Sequence, residues 1–320
     1  MFHVEHYAVF AYGGVPSCPL KNVPRGTFYK NNKKISKNYL KIRIFVVQLL
    51  YITNYKRRGE FMGKCIAVAN QKGGVGKTTT SVNLSSCISA YGRKVLLIDT
   101  DPQGNASSGV GIEKGEVEKS VYDVLINGTD MKDVIVKTDY HNLYLCPSSI
   151  DLAGAEIELV SEQKREFLLK NALGKVKDDY DFIIIDCPPS LGLITLNSFV
   201  CADSIIIPIQ CEYYALEGLS QLTNTVRKIK TAFNPSLEIE GVLLTMYDTR
   251  TNLSSQVARE VKKYYGSKLY KSVIPRNVRL SEAPSFGQPI NVYDKNSKGS
   301  SCYMSLASEV IGANTKRGES

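Results

Sequence analysis

The sequence predicts an α/β domain over residues 62–320: a mainly parallel, twisted sheet with helices on both faces. Three observations predict it. Short, continuous apolar runs recur along this stretch, as strands buried on both faces require. Longer helical stretches separate them, and strand–helix alternation supplies the crossovers that parallel neighbours need. A glycine-rich turn, QKGGVGKTTT, stands between the first strand and the first helix.

The elements follow in order. CIAVAN (65–70) is the first strand, and TTSVNLSSCISAYG the first helix, closed by Gly92. VLLID (95–99) and LYLCP (143–147) are strands, and AGAEIELVSEQKREFLLKNALGKV is a helical stretch. DFIIID (181–186), SIIIPI (204–209), GVLLTM (241–246) and LYKSVI (269–274) read as further strands. ALEGLSQLTNTVRKIKTAF and SSQVAREVKKYYG are helices, the second ending at Gly266. SCYMSLASEVIGANTKRGES is a terminal helix with a polar tail. No repeat or linker divides 62–320, so it reads as a single domain.

The net charge of +9 suggests an acidic partner, but it is unevenly placed. Residues 1–61 hold 11 Lys and Arg against 2 acids, while 62–320 hold 29 of each sign. The body is neutral, so any nucleic-acid site must be a local patch and its affinity modest. The eight cysteines form no CxxC pair, and five of them (Cys65, Cys87, Cys146, Cys187, Cys201) lie in or beside apolar runs. That usage fits a reducing cytosol. The apolar stretch IFVVQLLYI (44–52) is too short to span a bilayer, and no small-residue cleavage site follows it.

Strand, glycine-rich loop, lysine, threonine and helix make a P-loop. Gly73, Gly74 and Gly76 let the backbone N–H groups, Val75 included, turn inward around phosphate oxygens. Lys77 brings a cation to the β- and γ-phosphates, the Thr78 hydroxyl can hold Mg²⁺, and Thr79 follows at the helix N-terminus, whose dipole favours anions. Asp101 follows a strand end in VLLIDTDPQGNAS, and Asp186 ends the strand in DFIIIDCPPSLG; ligands bind at that edge of such sheets. A carboxylate is an uncomfortable end for an apolar strand unless something pairs with it. Asp99 reads as a helix cap or strand-end charge. On residues alone Lys72 is either a solvated loop charge or a second phosphate cation.

KGGVGKTT, with a lysine on each side of its glycines, resembles the signature of the deviant Walker A ATPases, which include ParA/Soj, MinD and the nitrogenase iron protein. QCEYYALEGLSQL, GVLLTMYDTRTNLSSQV and VIPRNVRLSEAPSFGQPINVYD extend the resemblance to the chromosomal ParA/Soj subgroup across essentially 62–320. The resemblance implies a chromosome-partitioning ATPase with ATP and Mg²⁺ as cofactors. It implies an ATP-sandwich homodimer in which Lys72 reaches the partner's nucleotide, much as an arginine finger acts in trans. Lys72, Lys77 and Asp101 are then the catalytic residues, Asp101 aligning the attacking water. Asp186 becomes the Walker B aspartate, holding Mg²⁺ through water beside Thr78. Pro275 and Asn277 lie near the adenine. Arg250 and Arg279 match the positions used on non-specific duplex DNA, although charge count alone reads them as surface charges or a cap. Slow hydrolysis stimulated by a ParB-type partner, and a cytoplasmic, nucleoid-associated location, complete the expectation.

Other readings differ in their needs. A MinD-like membrane role wants a basic amphipathic C-terminal helix, whereas YMSLASEVI resembles a packed one and NTKRGES is short, so no stable membrane anchor is expected. An iron protein needs cysteines at a shared cluster, and Cys187 after the Walker B aspartate is typical of the ParA pattern instead. An ATP-switched transcription or replication-initiation regulator remains open.

Residues 1–61 read as an extension, disordered or translated from upstream DNA. MFHVEH can be encoded by ATGTTCCACGTGGAACAT, which is its own reverse complement and resembles the centromere-like site of ParB-type proteins. Arg57-Arg58 can be encoded by AGGAGG, a ribosome-binding sequence three codons before Met62, and MGKCIAVANQKGG is a usual opening of ParA/Soj chains. A basic arm for DNA or a membrane surface is the alternative.

Overall fold

The structure is a computed structural model, and it describes residues 63–212 and 215–315. The extension 1–61 lies outside the described residues. The strands are β1 (Lys64–Val68), β2 (Val95–Asp99), β3 (Val136–Lys137), β4 (Leu143–Cys146), β5 (Phe182–Asp186), β6 (Ser204–Gln210) and β7 (Glu238–Thr245). The helices run α1 (Lys77–Ala90), α2 (Asn105–Gly109), α3 (Val121–Leu125), α4 (Leu152–Glu158), α5 (Leu168–Leu173) and α6 (Leu193–Cys201). They continue with α7 (Ala215–Ala232), α8 (Asn252–Tyr265), α9 (Val278–Glu282), α10 (Ile290–Tyr293) and α11 (Lys298–Thr315).

The described strands form one sheet in the order β3-β4-β2-β5-β1-β6-β7, parallel except for the β3–β4 edge pair. Alternate side chains feed two cores, as a period of two requires. Ile66, Val68, Leu97 and Ile184 face α1 and α11, through Leu84, Ile88, Leu306 and Val310. Ala67, Ile98, Ile183 and Ile185 face the opposite layer, with Leu152, Phe199 and Leu222. Strands covered on both sides have no polar face to show, which is why they read as continuous apolar runs.

Two expected elements differ. The long helical stretch from 153 is broken into α4 and α5, with Lys164 left-handed between them (φ 55°). The break is held by a distant residue: fully buried Asn197 donates to Arg165 O (2.8 Å) and accepts from Leu169 N (3.1 Å). The expected strand 269–274 is a strap that touches β7 only at isolated bridges. Tyr270 N donates to Val242 O and Ile274 N to Leu244 O, so four residues of strap advance beside two of β7. The slack is taken up by Glu309 of α11, which accepts from Lys271 N (2.9 Å) and Ser272 N (2.7 Å) in place of a strand partner.

Asn197→Ala leaves two buried backbone groups unpaired at the α4–α5 break. Urea denaturation should show a loss of about 2–3 kcal/mol with an unchanged m-value.

Candidate functional site

The sheet order sets the site. β1, β2 and β5 are adjacent, and their register places Val68 beside Asp186 and Asp99 beside Asp186 at one edge. The chain leaving β1 becomes the glycine-rich loop, so loop and carboxylates share that edge.

The loop is clamped at both ends. Buried Asn70 donates to Pro208 O (2.7 Å) and accepts from Lys72 N (3.0 Å). Thr245, at the end of β7, donates to Val75 O (2.8 Å), and Val75 itself is buried. Gly74 and Gly76 take φ of 73° and 86°, conformations that side chains resist. Gly76 opens α1 with no side-chain cap, so the first N–H groups of the helix face the loop cavity. Gly73 is exposed, and Thr78 and Thr79 are half-buried at the mouth.

Lys77 is buried, and its Nζ donates to Lys72 O (3.2 Å) inside the loop. Burial lowers its pKa, while Asp186 and Asp101 hold it up. Asp186 is fully buried; Ser81 Oγ donates to Oδ1 (2.7 Å) and Oδ2 has no hydrogen bond. Burial first, and then the charge of Asp99, push its pKa up to about 8; the Ser81 and Thr78 hydroxyls oppose this. A buried carboxylate oxygen without a partner, with the Thr78 hydroxyl beside it, suits a hard divalent cation such as Mg²⁺. Asp99 takes the capping role read from its position: Ser107 N and Oγ both donate to it at 2.8 Å, fixing α2. Asp101 is half-buried in a tight turn, accepting from Gln103 N (3.0 Å), close enough to act on Lys77 and Asp186.

Lys72 does not share the loop interior with Lys77. Its Nζ pairs with Glu212 Oε2 at 2.7 Å, both side chains nearly half exposed. Pro275 and Asn277 line a pocket of about 450 Å³ with Gly76, Thr79, Met246 and Tyr303. Asn277 Oδ1 caps α9 by accepting from Arg279 N (2.8 Å). The two arginines stand apart from this cluster and are held by their own chain. Arg250 pairs with Asp248 (2.7 Å) and holds its carboxyl well below the usual range; Arg279 pairs with Glu282 (2.8 Å) and Asp294 (3.5 Å).

Sequence reasoning missed Asn70, Ser81, Glu212 and Thr245. Ser81 carried a signal, the fourth consecutive hydroxyl of TTTS. The others act on chain segments 138 to 170 residues away in sequence, beyond any local pattern.

A family model described as an AAA domain matches residues 63–239. Cobyrinic acid a,c-diamide synthase of Mycobacterium smegmatis, solved with bound ADP and magnesium, superposes with a TM-score of 0.69 at 38% identity, covering 78% of this chain and 94% of that one. Fold and site together define a P-loop ATPase. Soj of Bacillus subtilis strain 168, a sporulation initiation inhibitor protein, is 62% identical over 249 residues (78% of this chain, 98% of Soj), and the chromosome partitioning protein ParA of Myxococcus xanthus is 49% identical over 256 (80% and 90%). The chain belongs to the ParA/Soj family of P-loop ATPases.

Asp186→Asn keeps an acceptor for Ser81 and removes the buried charge. Wild-type stability should fall as pH rises from about 4 to about 8, where the unfolded chain has ionised Asp186 and the folded one holds it protonated. The ligand-free variant should therefore melt higher than wild type, by a margin that grows over that window and is full above about pH 8. Calorimetry should also show that adding Mg²⁺ to ATP raises the melting temperature of wild type further and that of the variant less.

Proposed function

We propose that the protein is an ATP-dependent chromosome-partitioning ATPase. Its ATP-bound form is a sandwich dimer that binds duplex DNA without sequence preference. Hydrolysis, stimulated by a ParB-type partner, releases it. The observation that carries the reading is the split between the two lysines of one loop. Lys77 is buried within the phosphate cradle, whereas Lys72 stands exposed at its rim, a cation available to a second molecule. The 62% identity to Soj over nearly its whole length supports the same reading.

The residues divide the work. The glycine-loop N–H groups and Lys77 bind the phosphates, displacing the Lys77–Lys72 O bond. Mg²⁺ bound with ATP would supply neutralisation of phosphate charge and polarisation of the γ-phosphoryl. Asp186 and Thr78 hold that cation, and Pro275 and Asn277 orient the base. Asp101 holds the attacking water on the phosphoryl side of the loop. Lys72, donated in trans after leaving Glu212, stabilises charge that builds in the transition state. Arg250 and Arg279 exchange carboxylate partners for phosphates of DNA. No helix among the described residues is long and apolar enough to cross a membrane. The Bacillus subtilis relative is named for inhibiting sporulation initiation, which favours one second reading: the same ATP switch serving gene regulation on DNA.

Sedimentation with ATP and with ADP, alongside binding to unrelated duplex, tests the cycle. Wild type should dimerise and bind DNA with ATP only. Lys72→Ala should remain monomeric, and Asp101→Ala should stay dimeric while hydrolysis falls at least about a hundredfold. A monomer that binds DNA equally with either nucleotide would overturn the reading.

A further inference from the structure

Asp99 and Asp186 bring four buried carboxylate oxygens to the ends of β2 and β5, and three of them are engaged. Asp99 Oδ2 accepts from Ser107 N and Oγ, both at 2.8 Å, and Asp99 Oδ1 accepts from Asp101 N (3.2 Å). Asp186 Oδ1 accepts from Ser81 Oγ (2.7 Å). Asp186 Oδ2 has no hydrogen bond among the described residues. We infer that Ser81 determines the choice of metal ion: by occupying Oδ1 it limits Asp186 to one free oxygen, and so selects Mg²⁺ over Ca²⁺. The inference rests on the reading of Asp186 as the residue that holds the cation, and adds what restricts which cation it holds.

The two ions ask different things of a carboxylate. Ca²⁺ takes about six to eight oxygens in a flexible shell and readily binds both oxygens of one carboxylate. Mg²⁺ is smaller, demands a near-octahedral shell and keeps several waters, so a single carboxylate oxygen suffices. Asp99 cannot supply a second one, because Ser107 and Asp101 already hold both of its oxygens. The second oxygen that Ca²⁺ would seek is therefore Asp186 Oδ1, and Ser81 holds it.

Ser81 stands where it can enforce this limit. It follows Thr78 by three residues on α1, a spacing that puts both hydroxyls on one side of the helix. Its side chain is fully buried, so solvent does not compete for the bond. Ser81 Oγ also lies 3.1 Å from Lys77 O, but a hydroxyl has one proton to donate. The shorter bond, to an acid, has the stronger claim on it. The frame on both sides is fixed. Asp186 ends a strand paired with β1 and β2, and α1 is anchored in the core by Leu84 and Ile88. To offer both oxygens to an ion, Asp186 must give up its bond to Ser81.

The test reads binding rather than turnover. The melting temperature of the full chain is followed at fixed ATP while Mg²⁺ or Ca²⁺ is titrated, and ATP affinity is measured separately in EDTA. Ser81→Ala should raise the Mg²⁺ midpoint about tenfold, the usual effect of losing a group that orients a metal ligand. The Ca²⁺ midpoint should stay or fall, so the preference for Mg²⁺ shrinks at least about tenfold. Ser81→Thr, which keeps the hydroxyl, should retain the wild-type preference. Ser81→Cys, close in size with a weaker donor, should fall between the two and carries the test where the alanine variant does not fold. ATP affinity in EDTA should match wild type throughout. An unchanged preference in the alanine and cysteine variants would overturn the inference. Equal losses for both ions, or a matching loss in EDTA, would show a structural role for Ser81 and overturn it too. If neither ion shifts the melting temperature of wild type with ATP, the reading of Asp186 as cation holder fails, and the inference fails with it.

Discussion

Two carboxylates, Asp99 and Asp186, lie side by side and fully buried at the ends of neighbouring strands. Most of the site follows from how this unfavourable arrangement is tolerated. Burial raises both pKa values, with the charge of Asp101 adding at Asp99 and that of Asp99 adding at Asp186, and each carboxylate is answered differently. Asp99 receives two donors from Ser107 and becomes a structural anchor for the turn that carries Asp101. Asp186 receives one from Ser81 and keeps an oxygen unmatched. The sheet thus holds one acid in place and leaves the other in need of a cation. Lys77, itself depressed by burial, is the nearby cation that the protein provides. A bound divalent ion would relieve both.

The same logic extends outward in weaker form. Lys72, Arg250 and Arg279 each have a carboxylate of their own chain within salt-bridge distance. These pairs are exposed, and exposed pairs contribute about 0–1 kcal/mol, so they position the side chains without committing them. A phosphate or a second subunit competes with such pairs at small cost.

The parts that were legible in the sequence are those dictated locally. Gly74 and Gly76 were readable because a positive φ excludes most side chains, and the β1, β2 and β5 runs because both their faces are buried. Asp186 was readable because an acid ends an apolar strand. Asn70, Thr245 and Glu212 were not, since their partners lie on other strands or loops, brought near only by the β1-β6-β7 order. The helix predicted from 153 fails for the same reason. Its periodicity is sound, but Asn197, 32 residues from Arg165, supplies hydrogen bonds that make the break affordable. The strap at 269–274 has a strand's composition, and Glu309 draws its amides away from β7.

That strap also joins two sites that the sequence treats separately. Pro275 and Arg276 each border both the cavity beside Gly76 and the groove along α11, and Tyr247 bonds across to Ile274 and Arg276. The two cavities are therefore walled in part by adjacent peptide units on one bonded segment. Met246, left-handed at φ 49°, sits where β7 meets this segment and lines the base pocket. A ligand that settles the strap from one side settles it for the other, and by linkage the favour is returned. Occupants of the two cavities would need no long pathway to communicate, because a single short stretch of chain forms part of both surfaces.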